Sequence, residues 1–302
     1  MPTRVSKQDT LHILRATHLG KFPWLVHGFS TRPGGYSRAY GGGALNLGLT
    51  KDDSESAVER NRSGFLHELG VGNQRWPLVT LRQVHSDIIH CVDSPPETQS
   101  VGDGLITASP GLLLAIQTAD CLPIILADPK HSAVGVFHAG WRGTLKRIVE
   151  KGVGQMRLHF GSRPRDLKAV IGPGIHGCCY TVGPEVRDKF ESQFTYAEKI
   201  FRVVEESDPV REKYPMLFLT ARAPGHSELP KKIFLDLVEA NRKQLLAVGV
   251  PAKSIEASPL CTNCRTDLLF SYRAEKGKTG RMMGVVGIRR RTKQSQSAGI
   301  KL

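Results

Sequence analysis

Three short segments carry residue types that bind soft or borderline metal ions. They are Gln83-Val84-His85-Ser86, Thr118-Ala119-Asp120-Cys121-Leu122-Pro123 and His138-Ala139-Gly140-Trp141-Arg142-Gly143, and each lies where an apolar run meets a turn. Two imidazoles and one thiolate would give a divalent ion three protein ligands and leave a fourth position open. Catalytic zinc sites have this arrangement, whereas structural zinc is usually closed by four ligands. The leading hypothesis is therefore a zinc-dependent enzyme whose ligands are His85, Cys121 and His138.

The spacing of these ligands does not by itself dictate a metal, because it is not that of a zinc finger. The hypothesis needs a β-rich core that brings three turns together. Asp120 could orient a ligand imidazole or accept a proton. Copper is a weaker alternative, since two histidines and a cysteine also occur in blue copper centres with an axial methionine. Met282 and Met283 lie far along the chain from the three ligands.

Other cysteines and histidines give a second, poorer metal pattern. His226-Ser227-Glu228 and the later Pro259-Leu260-Cys261-Thr262-Asn263-Cys264 resemble the zinc-deaminase signature, but Leu260 separates the proline from the first cysteine. We interpret this match as a coincidence. Cys261 and Cys264 have no thioredoxin context and are interpreted as structural or inert. Cys178 and Cys179 are adjacent and awkward as a joint chelate, so they are interpreted as packing residues.

The elements that must position the three segments are mostly strands. Apolar runs of strand length predict seven strands between residues 26 and 171, and two more follow near the C-terminal part of the chain. The predicted strands are 26–30, 78–81, 88–92, 112–118, 123–127, 133–137, 168–171, 268–272 and 284–288.

Helices are predicted where the apolar period changes to that of a helix. The sequence favours helices over 54–69, from near Thr144, over 184–194, and from Asp236 to near Gly249, where Asp236 and Glu239 have capping-box spacing. The helix near Thr144 would begin at the turn that follows His138, so its N-terminus would offer free amides to an anion. The charged stretch 205–232 is interpreted as a surface insertion.

Composition bounds the class of protein. The chain has 302 residues, 40% hydrophobic and 23% charged, with a formal net charge of +14, which favours anionic ligands. The basic residues do not concentrate outside the tail that begins at Arg289, and no RNA-binding signature is present, so we expect no nucleic-acid partner. No apolar stretch reaches the length of a membrane span, and no signal peptide is visible. Six cysteines are too few for a disulfide scaffold, which indicates a reduced, cytoplasmic protein.

The three segments, together with others in the same order, resemble the purine nucleoside phosphorylase family with a laccase-type domain (YfiH-like), formerly labelled multicopper polyphenol oxidase. The other matching segments are His27 to Arg32, Leu45 to Gly48, Asn61-Arg62, Asp103 to Thr107, Ile171 to Gly183, Asp236-Leu237, Ser271 to Arg273 and Thr279 to Met282. The resemblance implies an α+β fold, a single-domain α/β/β/α layered sandwich with mixed β-sheets. It divides the chain into an N-terminal extension (1–25), the family domain (26–290) and a basic flexible tail (291–302).

The resemblance also implies zinc at His85, Cys121 and His138, with phosphate as co-substrate. The implied activity is phosphorolysis of adenosine, inosine and methylthioadenosine to free base and ribose 1-phosphate, together with adenosine deamination. For catalysis we expect Asp120 as a proton carrier and Arg273 as a phosphate ligand, because guanidinium groups bind phosphate in a bidentate manner. The expected substrate-binding residues are Asn46, Arg62, Arg142 and Arg281.

Two other activities stay open as alternatives. One is a copper polyphenol oxidase (laccase), which requires copper and dioxygen. The other is an amidase that edits cell-wall precursors, with Cys121 as nucleophile and a histidine as base. A thiolate bound to zinc is a poor free nucleophile, which counts against the amidase. The sequence does not determine the preferred nucleoside or the oligomeric state.

Overall fold

Two β-sheets stacked face to face form the centre of the molecule, in a computed structural model that describes residues 11–72, 76–205, 213 and 231–290. The strands found in these residues are, in chain order, β1 (Ile13–Leu14), β2 (Leu25–Ser30), β3 (Pro33–Ser37), β4 (Leu78–Val79), β5 (Ile89–Cys91), β6 (Gly104–Thr107), β7 (Leu113–Thr118), β8 (Leu122–Asp128), β9 (Ala133–Ala139), β10 (Lys168–Ile171), β11 (Thr181–Val182), β12 (Phe201–Glu205), β13 (Lys231–Leu235), β14 (Ile255–Ala257) and β15 (Met282–Ile288). The α-helices are α1 (Glu55–Glu68), α2 (Trp141–Leu145), α3 (Ile148–Phe160), α4 (Pro184–Glu191) and α5 (Leu237–Ala247).

Each central sheet mixes parallel and antiparallel pairs. The first has the order β1-β2-β15-β7-β4, and the second has the order β14-β10-β8-β9-β6-β5. β8 and β9 form an antiparallel pair along their whole length, from Leu122 opposite Ala139 to Asp128 opposite Ala133. Both strands are fully buried, as expected for strands covered on both faces. A smaller sheet, β11-β13-β12, lies outside the stack.

Three clusters of apolar side chains pack the sheets and helices together as four layers. One cluster, which includes Phe29, Ile125, Val136 and Val286, fills the space between the two sheets. A second cluster packs the other face of the β8–β9 sheet against α3 and α5, and a third packs the first sheet against α1. The order helix, sheet, sheet, helix is the α/β/β/α sandwich that the resemblance implied.

Most predicted elements are present with small shifts at their ends. The predicted helix over 54–69 is α1, whose N-cap Ser54 accepts a hydrogen bond from the amide of Ala57 at 3.3 Å. The predicted helix after Asp236 is α5, and the Asp236 carboxylate accepts from the amide of Glu239 at 2.9 Å. Both caps satisfy amides that a helix N-terminus otherwise leaves unpaired.

Two predicted elements were wrong. The predicted strand 268–272 is a run of turns, because its amides bond locally, for example from Leu269 to the carbonyl of Arg265 at 2.8 Å. The predicted helix from near Thr144 is two helices, α2 and α3. Arg147 separates them with a left-handed backbone (φ +63), and such a residue cannot continue the α-helical hydrogen-bond ladder.

Several predictions lie on residues whose structure is not described. Residues 1–10 of the expected N-terminal extension and the expected tail 291–302 are outside the described ranges. The same holds for most of the predicted insertion and for the His226-Ser227-Glu228 pattern. Across the described ranges, none of the helices combines the length and the apolar character required to cross a lipid bilayer.

Candidate metal centre and cavity

His85, Cys121 and His138 converge at one end of the second sheet. His138 lies on β9, and Cys121 directly precedes β8, so the pairing of these two strands places the two residues side by side. His85 comes from the loop after β4. The ligand atoms of all three residues lie within 4.8 Å of one another, and Cys121 Sγ is 3.8 Å from His85 Nε2. Three turns that are distant in the sequence therefore form one potential ligand set.

A buried carboxylate orients this ligand set. Asp103 Oδ1 lies 2.8 Å from His138 Nδ1, which leaves Nε2 of that ring free to face a metal. The same carboxylate accepts hydrogen bonds from the amides of His85 (3.1 Å) and Ser86 (2.6 Å). Carboxylate–histidine pairs of this kind fix ring orientation in metal sites and raise the basicity of the ligand. Sequence reasoning had missed this role, although Asp103 belongs to a segment that carried the resemblance.

The ionisable groups of the centre shift one another's pKa. Burial by itself raises the pKa of the Cys121 thiol, but the adjacent His138 and His85 outweigh it and lower that pKa. Burial likewise lowers the pKa of His138, but Cys121 and Asp103 outweigh it and raise that pKa. The thiolate form of Cys121 is therefore favoured at neutral pH, and a thiolate is the form that binds metals.

The backbone leaves room for an ion between the three donors. Gly140 lies against the centre, where an added Cβ would come within 2.8 Å of Cys121 Sγ and 3.1 Å of His85 Cδ2. Two non-glycine residues next to the centre, His85 (φ +57) and Asp120 (φ +89), have left-handed backbones. Strained residues of this kind concentrate at functional sites. A thiolate and two imidazoles with one side open suit zinc, so the residues present fit that ion.

The donors line a cavity of about 610 Å³. Aromatic and cationic side chains and Asp120 line the same cavity. The lining residues used below are Asp120, Arg142, Tyr180, Tyr272, Arg273 and Arg281. Another cavity, of about 660 Å³, lies near the start of α1 and is lined by Tyr36, Arg38 and Arg60, with no potential metal ligand set. Of these two cavities, the one at the metal centre combines potential metal ligands with a carboxylate and guanidinium groups.

Asp120 is held rigidly at the edge of this cavity. Its Oδ1 accepts a hydrogen bond from the Thr262 hydroxyl at 2.6 Å, and its Oδ2 accepts from the Arg273 amide at 2.7 Å. Asp120 is 7% exposed. Each oxygen retains a further lone pair that can accept a proton or hydrogen bond.

Three of the five arginine and asparagine side chains expected to bind substrate line the cavity. Arg273 donates to the carbonyl of Thr181 at 2.9 Å and lies over the Tyr180 ring. Arg281 donates to the carbonyl of Thr279 at 3.0 Å and approaches the Tyr272 ring, and Arg142 lies over the Trp141 ring. All three guanidinium groups are thus positioned by neighbouring groups beside the cavity.

Asn46 and Arg62, which were also expected to bind substrate, lie outside the lining of this cavity. Asn46 is fully buried, and its carboxamide oxygen accepts from the Arg281 amide at 2.8 Å. Arg62, on α1, donates to the carbonyl of Leu47 at 2.9 Å. Neither is among the lining residues. Their contacts stabilise the loop that holds the backbone of Arg281, so they position a cavity residue from behind.

Two cysteines that were predicted to be packing residues lie elsewhere than in a core: Cys178 is exposed and Cys179 is half-buried. Of the pair interpreted as structural or inert, Cys264 is exposed. The sulfur atoms of these three residues lie close to that of the buried Cys261. Sequence spacing could not show this convergence, because the two pairs are more than eighty residues apart.

Comparison with known proteins agrees with this architecture. A family described as "Multi-copper polyphenol oxidoreductase laccase" matches residues 26–289. A purine nucleoside phosphorylase YlmD of Geobacillus stearothermophilus is 35% identical over 277 residues, 89% of this chain and 92% of that protein. A purine nucleoside phosphorylase of Deinococcus radiodurans is 35% identical over 294 residues, 95% of this chain and 97% of that protein.

A solved structure gives the same result for the fold. The crystal structure of the hypothetical protein YfiH of Bacillus licheniformis superposes with a TM-score of 0.76 at 34% identity, covering 94% of this chain and 98% of that chain. The resemblance and the α+β layered fold predicted from the sequence are thus confirmed.

Proposed function

We propose, from the premise that the chain belongs to the family described as multi-copper polyphenol oxidoreductase laccase, that it is an enzyme that processes purine nucleosides. The relatives from two organisms carry the name purine nucleoside phosphorylase. The observation that carries the proposal is that one cavity is lined both by a three-ligand metal set and by three arginines. The proposed reaction is phosphorolysis of adenosine, inosine and methylthioadenosine to free base and ribose 1-phosphate.

The arginines supply the binding site for phosphate. Arg142, Arg273 and Arg281 all line the cavity, and a guanidinium group presents paired donors that match two phosphate oxygens. Their contacts with the neighbouring carbonyls and rings restrict their motion, which lowers the entropic cost of holding the anion. In the proposed reaction they hold phosphate against C1′ of the ribose. The C1′–O bond forms as the bond from C1′ to the purine nitrogen breaks, and the purine leaves with the electron pair.

The aromatic residues supply the surface for the purine. Tyr180 and Tyr272 line the same cavity as the arginines, and base–aromatic stacking contributes about 1–3 kcal/mol per base in other systems. Burial raises the pKa of Tyr180 above its usual range, with Cys121 as a smaller cause, so its hydroxyl stays protonated and can donate a hydrogen bond. The proposed site therefore pairs each of two rings that could stack on the base with a guanidinium group that could bind phosphate.

Zinc is the metal that we propose for His85, Cys121 and His138. When bound, zinc acts as a Lewis acid that polarises a substrate or water oxygen. The protein's own contribution is to hold the three donors through Asp103 and the β8–β9 pairing. For adenosine deamination, Asp120 would take a proton from the attacking water and return it to the amine that leaves as ammonia.

The thiol chemistry of the chain supports a reducing compartment. All six cysteines are free, and none of them forms a disulfide. Free thiols persist in the cytoplasm, whereas secreted proteins accumulate disulfides. We therefore place the reaction in the cytoplasm.

Two alternative functions are each supported by one observation. The family description and the two-histidine, one-cysteine donor set are compatible with a copper phenol oxidase. The favoured thiolate of Cys121 beside His85 and His138 is compatible with a cysteine amidase. Both alternatives predict different metals or products from those of a zinc phosphorylase, so one set of assays separates them.

The test is incubation of the purified protein with adenosine, with and without phosphate, followed by product analysis. We expect adenine and ribose 1-phosphate only when phosphate is present, inosine from deamination in both arms, and loss of both after chelation, restored by zinc. The Cys121→Ser variant is the matched control for the metal set. Absence of turnover with adenosine, inosine and methylthioadenosine would refute the proposal. Copper content with dioxygen uptake would favour the oxidase.

A further inference from the structure

Four cysteines outside the cavity form a second cluster. Cys178 and Cys179 lie in the loop between β10 and β11, and Cys261 and Cys264 lie in the segment between β14 and β15. Their sulfur atoms all lie within 4.8 Å of one another. Cys178 Sγ is 3.7 Å and Cys179 Sγ is 3.3 Å from Cys264 Sγ. The loop of residues 172–180 and the segment of residues 258–273 thus each contribute two thiols.

We propose that these four cysteines bind a second metal ion, a single thiophilic divalent cation such as zinc, in a closed four-thiolate site. In a tetrahedral site with zinc–sulfur bonds of about 2.3 Å, neighbouring sulfur atoms are about 3.8 Å apart. The distance of 3.7 Å between Cys178 Sγ and Cys264 Sγ is close to that spacing. Cys261 and Cys264 also have the C-x2-C spacing that is common in structural zinc sites.

The surroundings of the cluster suit a bound cation. The His176 amide lies 3.5 Å from Cys261 Sγ and can donate to a thiolate there, which spreads its negative charge. Cys261 is buried while Cys178 and Cys264 are exposed, so one side of the site is anchored and the other is open to an incoming ion. On binding, each thiol loses its proton to solvent and its sulfur forms one bond to the metal.

Other uses of four thiols fit this geometry less well. An iron–sulfur cluster binds its thiolates on different iron atoms, which spreads the sulfur atoms further apart than this cluster allows. A disulfide between Cys179 and Cys264 would use only two of the four thiols and would need a second pairing for Cys178 and Cys261. One ion accounts for all four sulfur atoms together.

The site would join two segments that build the cavity. Residue 174 and Cys261 are neighbours in a parallel β-bridge, and the Thr262 amide donates to the carbonyl of Gly174 at 3.0 Å. One segment continues to Tyr180, and the other carries Thr262, which donates to Asp120, and Arg273. A metal at the four cysteines would therefore fix the separation of the cavity walls without contacting substrate.

The test is the zinc content of protein expressed with zinc and purified under reducing conditions, measured as ions per chain. We expect two ions for the wild type and one for the Cys178→Ser/Cys264→Ser variant. The Cys121→Ala variant should also retain one, because it removes a ligand of the other site. Cys91→Ser is the matched control, since Cys91 lies outside both clusters on β5, and it should retain two.

A second measurement covers the case in which the double variant does not fold. In the wild-type protein, alkylation followed by mass spectrometry should find the four clustered thiols protected until a chelator is added. Cobalt loaded in place of zinc should give the thiolate-to-metal absorption of a tetrahedral sulfur site. Clustered thiols that are alkylated fully without a chelator, a disulfide within the cluster under reducing conditions, or an iron–sulfur cluster would each overturn the proposal. These readouts do not depend on turnover, so they stand apart from the proposed nucleoside chemistry.

Discussion

Asp103 connects two of the three candidate ligands through a single carboxylate. It accepts from the amides of Val84, His85 and Ser86 and from the Ser86 hydroxyl, and it pairs with the His138 ring. Burial alone would raise the pKa of Asp103, but the His138 and Ser86 contacts hold that pKa well below its usual range. The side chain therefore stays ionised while fully buried. Its charge is balanced by hydrogen bonds and by the imidazole.

We predict that Asp103→Asn weakens metal binding by about 10–100-fold, the usual cost of removing the partner of a metal-bound histidine. The amide is nearly isosteric, but it has lost the negative charge and has only one acceptor oxygen. The affinity is measured by competition with a chelating dye. Asp93→Asn is the control, since Asp93 pairs with the Ser109 hydroxyl on the surface. Equal zinc affinity in wild type and Asp103→Asn would contradict the assigned role.

At the residue scale, the sequence allowed the metal ligands to be predicted but not the residues that hold the site in place by hydrogen bonds. His85, Cys121 and His138 are recognisable because metal-binding residue types recur where apolar runs end. Asp103 was missed because an aspartate before a glycine looks like any turn residue until its partners are known. The contact between Thr262 and Asp120 joins residues 142 positions apart, so no local pattern could indicate it.

Individual strands and helices position the site, and two of the candidate ligands lie at or next to the ends of strands. Cys121 and His138 are at opposite ends of the chain segment that forms the β8–β9 pair, and the strand register brings them together. Continuous apolar runs of strand length made β7, β8 and β9 predictable, and apolar residues at helical spacing indicated α1. The break at Arg147 was not predictable, because the guanidinium contacts that stabilise it, with Glu150 and with the carbonyl of Gln193, are partly tertiary. The turns of 268–272 looked like a strand because Leu269 and Phe270 are buried.

The strand β2 carries a histidine whose burial makes stability depend on pH. His27 is 3% exposed, and its Nε2 accepts the amide of Ala16 at 3.0 Å. Burial, with Arg15 as a smaller cause, lowers the pKa of His27 to about 4. The folded state therefore favours the neutral ring. Its contribution to stability is complete above the unfolded pKa of about 6.5 and is lost as the pH falls towards 4.

We predict that His27→Gln removes this pH dependence. The glutamine oxygen can accept the Ala16 amide but does not titrate, so the stability advantage of wild type over the variant should shrink by up to about 3 kcal/mol between pH 7 and pH 4. Urea unfolding at several pH values measures it. His159→Gln, at an exposed position near the end of α3, controls for the loss of an imidazole as such. A constant difference between wild type and His27→Gln across this range would show that the ring does not titrate as described.

The whole molecule depends on the close approach of its two sheets. Gly284 of β15 faces the second sheet: an added Cβ would come within 2.7 Å of Pro123 on β8 of that sheet and 3.2 Å of Phe29 on the paired strand β2. Both neighbours belong to the packed centre of the molecule, where even one extra methyl group is felt. Side-chain volume at this position is therefore limited by the distance between the sheets.

We predict that Gly284→Ala lowers the free energy of unfolding by about 1–3 kcal/mol through overpacking. Gly154→Ala is the matched control. Gly154 lies inside α3 with nothing within 4 Å of an added Cβ, so that substitution should stabilise the protein by about 0.5–1 kcal/mol. Urea unfolding curves at one pH would measure both changes in the free energy of unfolding. Unchanged stability in Gly284→Ala would mean that the sheets can move apart at little cost.

At the scale of the molecule, the sequence indicated the layered architecture better than it indicated the small third sheet or the cavity. The four-layer sandwich was implied by the resemblance alone, while the apolar runs predicted many of the strands and helices within it. The third small sheet was not predicted, since β12 is largely exposed and lacks a buried face. The cavity could not be predicted from spacing either, because its walls combine residues from 81 to 281.

The position of β15 in the first sheet also affects folding during synthesis. This strand lies between β2 and β7, although more than 160 residues separate it from the nearer of them along the chain. While the ribosome is still synthesising the intervening part, β2 and β7 both have an unpaired edge, and such edges promote aggregation. We therefore expect the nascent protein to need chaperone protection until residue 288 has left the exit tunnel. A message truncated before that point would yield a chain that cannot close its first sheet.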